Sequence, residues 1–344
     1  MRESLRSLKP YRPPEAKGLA LHRNTNRLGT NPAAGQMARL FAGIDLSDYP
    51  NSRAQTLRRA LAVRYGLQPE NFLVANGSNE VFDLIFKTFL NPGDPVVFPN
   101  PSYAMYRHYA LINAARPIEV PLDAAFDLKA DAILGVDAEL IVLCTPNNPT
   151  GNTLSPNSIE AVLRSGHPVV IDEAYGEFAG ANWIERACEF PNLLVTRTFS
   201  KAYGLAGLRV GYLAACPELI EQIERARLPY NLNALSQALA TAALNEQPFV
   251  RDYLALIRRE RPRWAQALSR RGFRVWPSQA NFLLAAVPQG FDRDTLVREL
   301  ADRRVLVRSA GSHPRLQRCV RITVGTPDDL EVLLTALDEV LPCR

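Results

Sequence analysis

Through the middle of the chain, short runs of consecutive apolar residues alternate with stretches whose apolar residues recur at helical spacing. NFLVANG (71–77) predicts a strand and SNEVFDLIFKTFL (78–90) a helix. DPVVFPNPSY (94–103), AELIVLCTPNNPTG (138–151), HPVVIDEAYGEF (167–178) and NLLVTRTFSKAYG (192–204) each read as a strand that ends in polar or Gly/Pro residues. Near-continuous apolar strands separated by helical lengths predict an α/β architecture with a mostly parallel sheet sandwiched by helices. Ligands of such sheets bind beyond the carboxyl ends of the strands, where the polar residues of these segments fall.

From about residue 245 the texture changes. An Arg-rich amphipathic helix over about 246–271 leads into FRVWPSQANFLLAAV (273–287), a helix at 292–303, strand-like VLVR (305–308) and CVRITVG (319–325), and a closing helix at 328–341. This predicts a smaller α+β domain. The expected division is a large domain over 30–240, with 1–29 and 241–344 forming the small domain and an N-terminal arm. The Pro-rich first 30 residues are too short for a domain and are expected to pack on one of the two bodies.

The 344 residues are ordinary in composition, 47% hydrophobic and 22% charged, which argues against disorder. No apolar run reaches the length of a membrane span, and the N-terminus has no apolar signal core, so a cytoplasmic protein is expected. The net charge of +5 is spread rather than clustered, so nucleic acid is not an expected partner. Five widely spaced cysteines and four dispersed histidines predict neither disulfides nor a metal site.

Only five lysines are present. Lys201 follows a strand end in TFSKAYGLAGLRVGY (198–212), beside Ser200 and eight residues before Arg209. A lysine at a sheet's ligand edge can form a Schiff base with a carbonyl cofactor, while a hydroxyl and an arginine hold a phosphate; taken alone, Lys201 equally fits a surface loop. Asp172 ends an apolar strand, where a carboxylate needs a partner such as a pyridinium N–H. Tyr175, three residues on, can donate to a ring oxygen, which the amide of Asn148 in PNNPTG (146–151) can share. A helix-capping role for Asp172 and a bare turn at 146–151 remain open on these residues alone. Gly77 precedes a helix whose N-terminus, with Ser78 and Asn79, suits an anion. Tyr103 can stack on a planar ring, or pack in the core.

Together these segments resemble the fold-type I pyridoxal-phosphate-dependent transferases, and among them the histidinol-phosphate aminotransferase family. DYP (48–50), NGSNE, PSYAMY, PNNPTG, DEAY, the 198–212 segment, LPYNLN (228–233), PSQANF and VRITVGT (320–326) carry the likeness over nearly the whole chain. The resemblance implies pyridoxal 5'-phosphate attached to Lys201, with Asp172 at the pyridine nitrogen, Tyr175 and Asn148 at the ring oxygen, and Tyr103 on the ring face. It implies Gly77, Ser78, Asn79, Ser200 and Arg209 at the phosphate, with Tyr49 reaching the same phosphate from the second subunit of a homodimer. Tyr11, Asn24, Tyr230, Arg308 and Arg321 match substrate positions. The implied reaction is L-histidinol phosphate with 2-oxoglutarate; an aromatic-amino-acid aminotransferase or a threonine-phosphate decarboxylase on the same scaffold is the alternative.

One stretch departs from the family. A pattern close to L-N-x-N-E-N-P-x-G is here LHRNTNRLG (21–29), with Thr25 in place of an acidic residue and Arg27 in place of proline. An inward Arg27 favours a more anionic substrate; an outward one has no such consequence.

Overall fold

A computed structural model of the chain describes residues 3–6, 8, 10, 17–180 and 182–341. Strand β1 (Leu19–Ala20) belongs to a two-stranded ladder described below. The large sheet holds seven strands: β2 (Phe72–Ala75), β3 (Pro95–Asn100), β4 (Arg116–Pro121), β5 (Leu140–Cys144), β6 (Val169–Asp172), β7 (Leu193–Thr198) and β8 (Gly211–Ala214). Their order is β2-β8-β7-β6-β5-β3-β4, parallel except for β8, which runs against β2 and β7.

Successive side chains of a strand face opposite ways, so this sheet feeds two cores. On β5, Ile141 and Leu143 join one cluster while Leu140, Val142 and Cys144 join the other. Because all five are buried, the strand reads as a continuous apolar run rather than an alternating one. Two strands escape that signature. β4 lies at the sheet edge, carries Pro117 and Pro121 and is mostly open to solvent. β8 is four residues long and starts on Gly211.

Beyond the 24-residue helix Gln247–Arg270 lies an antiparallel sheet of β9 (Arg274–Val275), β10 (Phe282–Ala286), β12 (Arg308–Ser309) and β13 (Cys319–Thr323), ordered β12-β13-β10-β9. Its own cluster includes Trp264, Leu283, Ile322 and Leu333. β11 (Val305–Leu306) pairs in parallel with β1.

That ladder starts a strap, residues 21–31, which contacts both sheets' surroundings rather than one body. On one side the Asn26 and Asn31 amides donate to the carbonyls of Ala202 and Tyr203 at 3.0 and 3.1 Å. On the other, Asn24 N–H donates to Thr323 Oγ1 at 3.0 Å and Asn281 Nδ2 to the Asn24 carbonyl at 3.1 Å. No helix among the described residues is long and apolar enough to cross a membrane.

Candidate active site

The parallel strands bring their carboxyl ends to one edge, and β8, running the other way, begins there: Gly211 pairs with Ala75 and Thr198. The polar residues after β2, β3, β5, β6 and β7 therefore converge although they are scattered over 130 positions of sequence (72–201).

Asp172, the last residue of β6, is 4% exposed. Tyr106 donates to its Oδ2 at 2.7 Å, and the Ala174 N–H and Thr196 Oγ1 approach Oδ1 at 3.0 and 3.4 Å. Burial pushes this carboxyl above its ordinary range; Tyr106, the Ala174 N–H and Thr196 oppose the shift, and Glu173 adds to it. Tyr106 is fully buried and its phenol is pushed well up, first by burial and then by Asp172, so it remains a donor. Within PSYAMY, Tyr103 stands out by its place after a Pro-punctuated turn, whereas Tyr106, inside the helix Met105–Ile112, has the look of core and gives no sequence sign of this role. Tyr103 is half-buried, and the two rings meet edge to face at 5.5 Å.

A second pole forms where β2 meets β8. Gly77 has φ +81°, and a Cβ there would lie 2.6 Å from Arg209 Nη2; one on Gly211 would lie 2.2 Å from the Ser78 nitrogen. Only glycine permits this approach of backbone to backbone and guanidinium. Arg209 donates to Ser200 Oγ at 3.3 Å, beside the N-terminus of the helix Ser78–Phe89. Free N–H groups, the helix dipole and a guanidinium together make an anion site. Asn79 and Arg209 are exposed and Ser78 is half-buried, so the site is open to a ligand.

Between the poles lies Lys201, just past β7. Its Nζ donates to the Arg23 carbonyl at 2.9 Å and lies 5.8 Å from the Tyr175 ring centre. Burial, followed by the positive charges of Arg321 and Arg209, lowers this amine from 10.5 to about 7, with Asp172 acting in the opposite sense. Near neutrality a large share is free base, the form that acts as nucleophile or proton acceptor. Tyr175 is buried, accepts from Asn24 Nδ2 at 2.9 Å and packs edge-on against Phe282 at 5.1 Å. Burial raises its phenol too, so its own O–H is retained for another acceptor.

Arg321 on β13 closes the site. It donates to Asn148 Oδ1 at 2.8 Å and to the His22 carbonyl at 2.7 Å. Arg308 stands directly opposite it on β12 and is exposed. Like charges directly opposed across a ladder repel, and an anion between them removes that cost. The structure thus gathers Lys201, Asp172, Tyr175, Asn148, Asn24 and Arg321 through the contacts above. Tyr49 and Tyr230, both exposed, instead stack on each other at 4.4 Å with an interplanar angle of 15°. Tyr11 lies outside the described residues. Arg27 is held in an ion pair: its guanidinium donates to Asp329 at 2.6 and 2.9 Å, and Asp329 caps the helix Pro327–Val340. Among the described residues no group of three His, Cys, Asp or Glu is placed to hold a metal.

Known proteins resemble this chain over almost its full length. The family model for aminotransferase class I and II matches residues 16–337. A histidinol-phosphate aminotransferase of Symbiobacterium thermophilum is 39% identical over 98% of this chain and 99% of its own length. One of Microcystis aeruginosa is 35% identical over 99% and 98%. Among solved structures, the histidinol-phosphate aminotransferase of Sinorhizobium meliloti in complex with pyridoxal-5'-phosphate superposes with a TM-score of 0.90 at 27% identity, covering 99% of this chain and 97% of that one. A seven-stranded mixed sheet, a lysine just past β7 and this breadth of likeness agree, and the chain belongs to the histidinol-phosphate aminotransferase family of class I and II aminotransferases.

Proposed function

We propose that this aminotransferase uses pyridoxal 5'-phosphate to move the amino group of L-histidinol phosphate to 2-oxoglutarate, leaving imidazole acetol phosphate and L-glutamate. The observation that carries this reading is an amine lowered to about 7 at Lys201, set between a buried carboxylate and a glycine-lined anion site. The fit to the cofactor is chemical: Asp172 matches a pyridine N–H, and the Gly77–Arg209 pole matches a phosphate.

When bound, the cofactor supplies an aldehyde carbon for the amino group and a ring that takes up the electron pair freed at the substrate's Cα. The chain's own residues do the rest. Lys201 Nζ would hold the cofactor and, as a general base, would take the Cα proton. Asp172 would keep the ring nitrogen protonated, and Tyr175 and Asn148 would hold the ring oxygen. Tyr103 would pack on the ring, while Gly77, Ser78, Asn79, Ser200 and Arg209 would hold the phosphate. Arg308 and Arg321 take the substrate's anionic end, because a guanidinium pairs bidentately with phosphate and carboxylate alike. Asn24, Tyr230 and Tyr11 complete the substrate side.

A homodimer belongs to the same proposal. Of ten exposed large hydrophobic residues among the described residues, seven fall in 28–49 and 228–230: Leu28, Met37, Phe41, Leu46, Tyr49, Leu228 and Tyr230. Such clustering supports a covered face, from which Tyr49 reaches the partner's cofactor phosphate. Residues 30–240 then form the cofactor-binding body, 1–29 with 241–344 the smaller one, and the enzyme works in the cytoplasm.

Tyr106→Phe is expected to lower kcat about tenfold or more. Its acid limb should move to higher pH, because the hydroxyl is the strongest contact opposing the upward shift of Asp172. An unmoved acid limb would remove Tyr106 from this role. The substrate reading is tested by assaying histidinol phosphate, phenylalanine and threonine phosphate with 2-oxoglutarate. A kcat/KM for histidinol phosphate at least about 100-fold above the others is expected. Preference for phenylalanine, or CO₂ release from threonine phosphate without keto-acid turnover, would overturn it.

A further inference from the structure

Within the strap, His22 and Asn24 are buried while Arg23 between them is exposed. Arg23 is held at its backbone and at its side chain. Its carbonyl accepts from Lys201 Nζ at 2.9 Å, so its backbone borders the amine that does the chemistry. Its Nε donates to Nε2 of His22 at 3.0 Å, so a buried imidazole aims its guanidinium. The same His22 gives its carbonyl to Arg321 at 2.7 Å, and Arg308 lies across the ladder from Arg321.

Arg23 thus bonds the imidazole, Arg321 bonds the carbonyl of the same residue, and Arg308 faces Arg321 across the ladder. Burial first, then Arg23, Arg308 and Arg321, push His22 below its ordinary value, against a small opposing effect of the Leu306 carbonyl. A neutral imidazole is what Arg23 requires, since Nε2 must offer a lone pair to receive the guanidinium N–H. Arg27, four residues on, pairs with Asp329.

We propose that Arg23, aimed by His22, is a third guanidinium of the substrate's anion site and favours an amino donor ending in a dianionic phosphate monoester over one ending in a carboxylate. The inference rests on the aminotransferase reading above and narrows its substrate class. Two opposed arginines suffice for a carboxylate's single charge; a phosphate has three oxygens and nearly two charges to satisfy.

The test uses holoenzyme carrying Arg23→Met, Arg23→Lys, His22→Phe, and the Arg23→Met/His22→Phe pair. Two readouts are needed: KM and kcat for histidinol phosphate and for glutamate, and competitive inhibition of the glutamate half-reaction by inorganic phosphate. Arg23→Met should raise KM for histidinol phosphate and the inhibition constant of phosphate by about tenfold or more. Both should rise at least five times more than the KM for glutamate, with kcat moving less than KM. Arg23→Lys should recover part of the loss by restoring charge without the Nε donor. His22→Phe should reproduce a fraction of the effect, and the double variant should be no worse than Arg23→Met alone, because the two residues act as one unit. Phosphate inhibition unchanged in Arg23→Met, equal losses for phosphate and glutamate, or additive effects in the double variant would each overturn the proposal. The phosphate arm needs no histidinol phosphate, so a parent enzyme that ignores that substrate fails the functional reading separately.

Discussion

Lys201→Ala is expected to cut transamination by about 10⁴-fold or more, since in the proposed mechanism one amine would both hold the cofactor and move the Cα proton. The environment specialises this lysine. Lys87, by contrast, pairs with Asp83 on an exposed helix face. Lys201 sits past the end of β7, lowered to about 7 by burial and by the Arg321 and Arg209 charges. Its neutral fraction therefore grows as pH rises through about 7. Attachment of pyridoxal phosphate to apoenzyme should accelerate about tenfold per pH unit below that point and level off above it. The rate is followed by stopped-flow absorbance. A pH profile that keeps rising to 10 would mean that the amine is not perturbed, and substantial turnover by the alanine variant would remove Lys201 from the chemistry.

Arg197→Met is expected to lower the unfolding free energy by about 3–5 kcal/mol, because it strands buried carboxylates. Arg197 on β7 is 2% exposed and Glu173, fully buried, faces it at 2.8 and 3.0 Å through one oxygen. Glu177, Asn182 and the Tyr65 hydroxyl also meet it, at 3.5, 2.8 and 3.3 Å. The other oxygen of Glu173 accepts the Trp183 N–H at 2.8 Å. This cluster ties the strand that leads to Lys201 to the segment that follows Asp172 and carries Tyr175. Burial raises the carboxyl of Glu177 and Arg197 is the main opposing influence, so the substitution raises it further. A carboxyl with a raised folded-state value is more stable protonated. The deficit should thus be greatest above neutrality and shrink as pH falls toward 5, as read by urea unfolding across pH. A loss below 1 kcal/mol at pH 8 would contradict this role.

The parts of the fold legible in the sequence are those whose burial is two-sided. β5, β6 and β7 announce themselves as apolar runs with chemistry at their ends, which places Asp172, Asn148 and Lys201 on one edge before any coordinates are known. β4 and β8 give weaker signals, one being an edge with two prolines and the other opening on glycine. Partnerships fixed by register are also hidden. Asp172 pairs with Thr196, which brings Glu173 beside Arg197, and neither contact follows from spacing along the chain. Tyr106 reaches Asp172 across 66 residues from a helix whose periodicity marks it as core. The strap was legible as a departure from the family pattern, but its bridging of both sheets' surroundings depends on Thr323, Asn281 and Ala202, which come from distant elements.

The proposed covalent bond joins vitamin B6 to one nitrogen, Lys201 Nζ. Holoenzyme reduced with borohydride, digested and mapped by mass spectrometry should carry the pyridoxyl label on the peptide containing Lys201 and nowhere else. A label on another lysine, or none, would contradict the account.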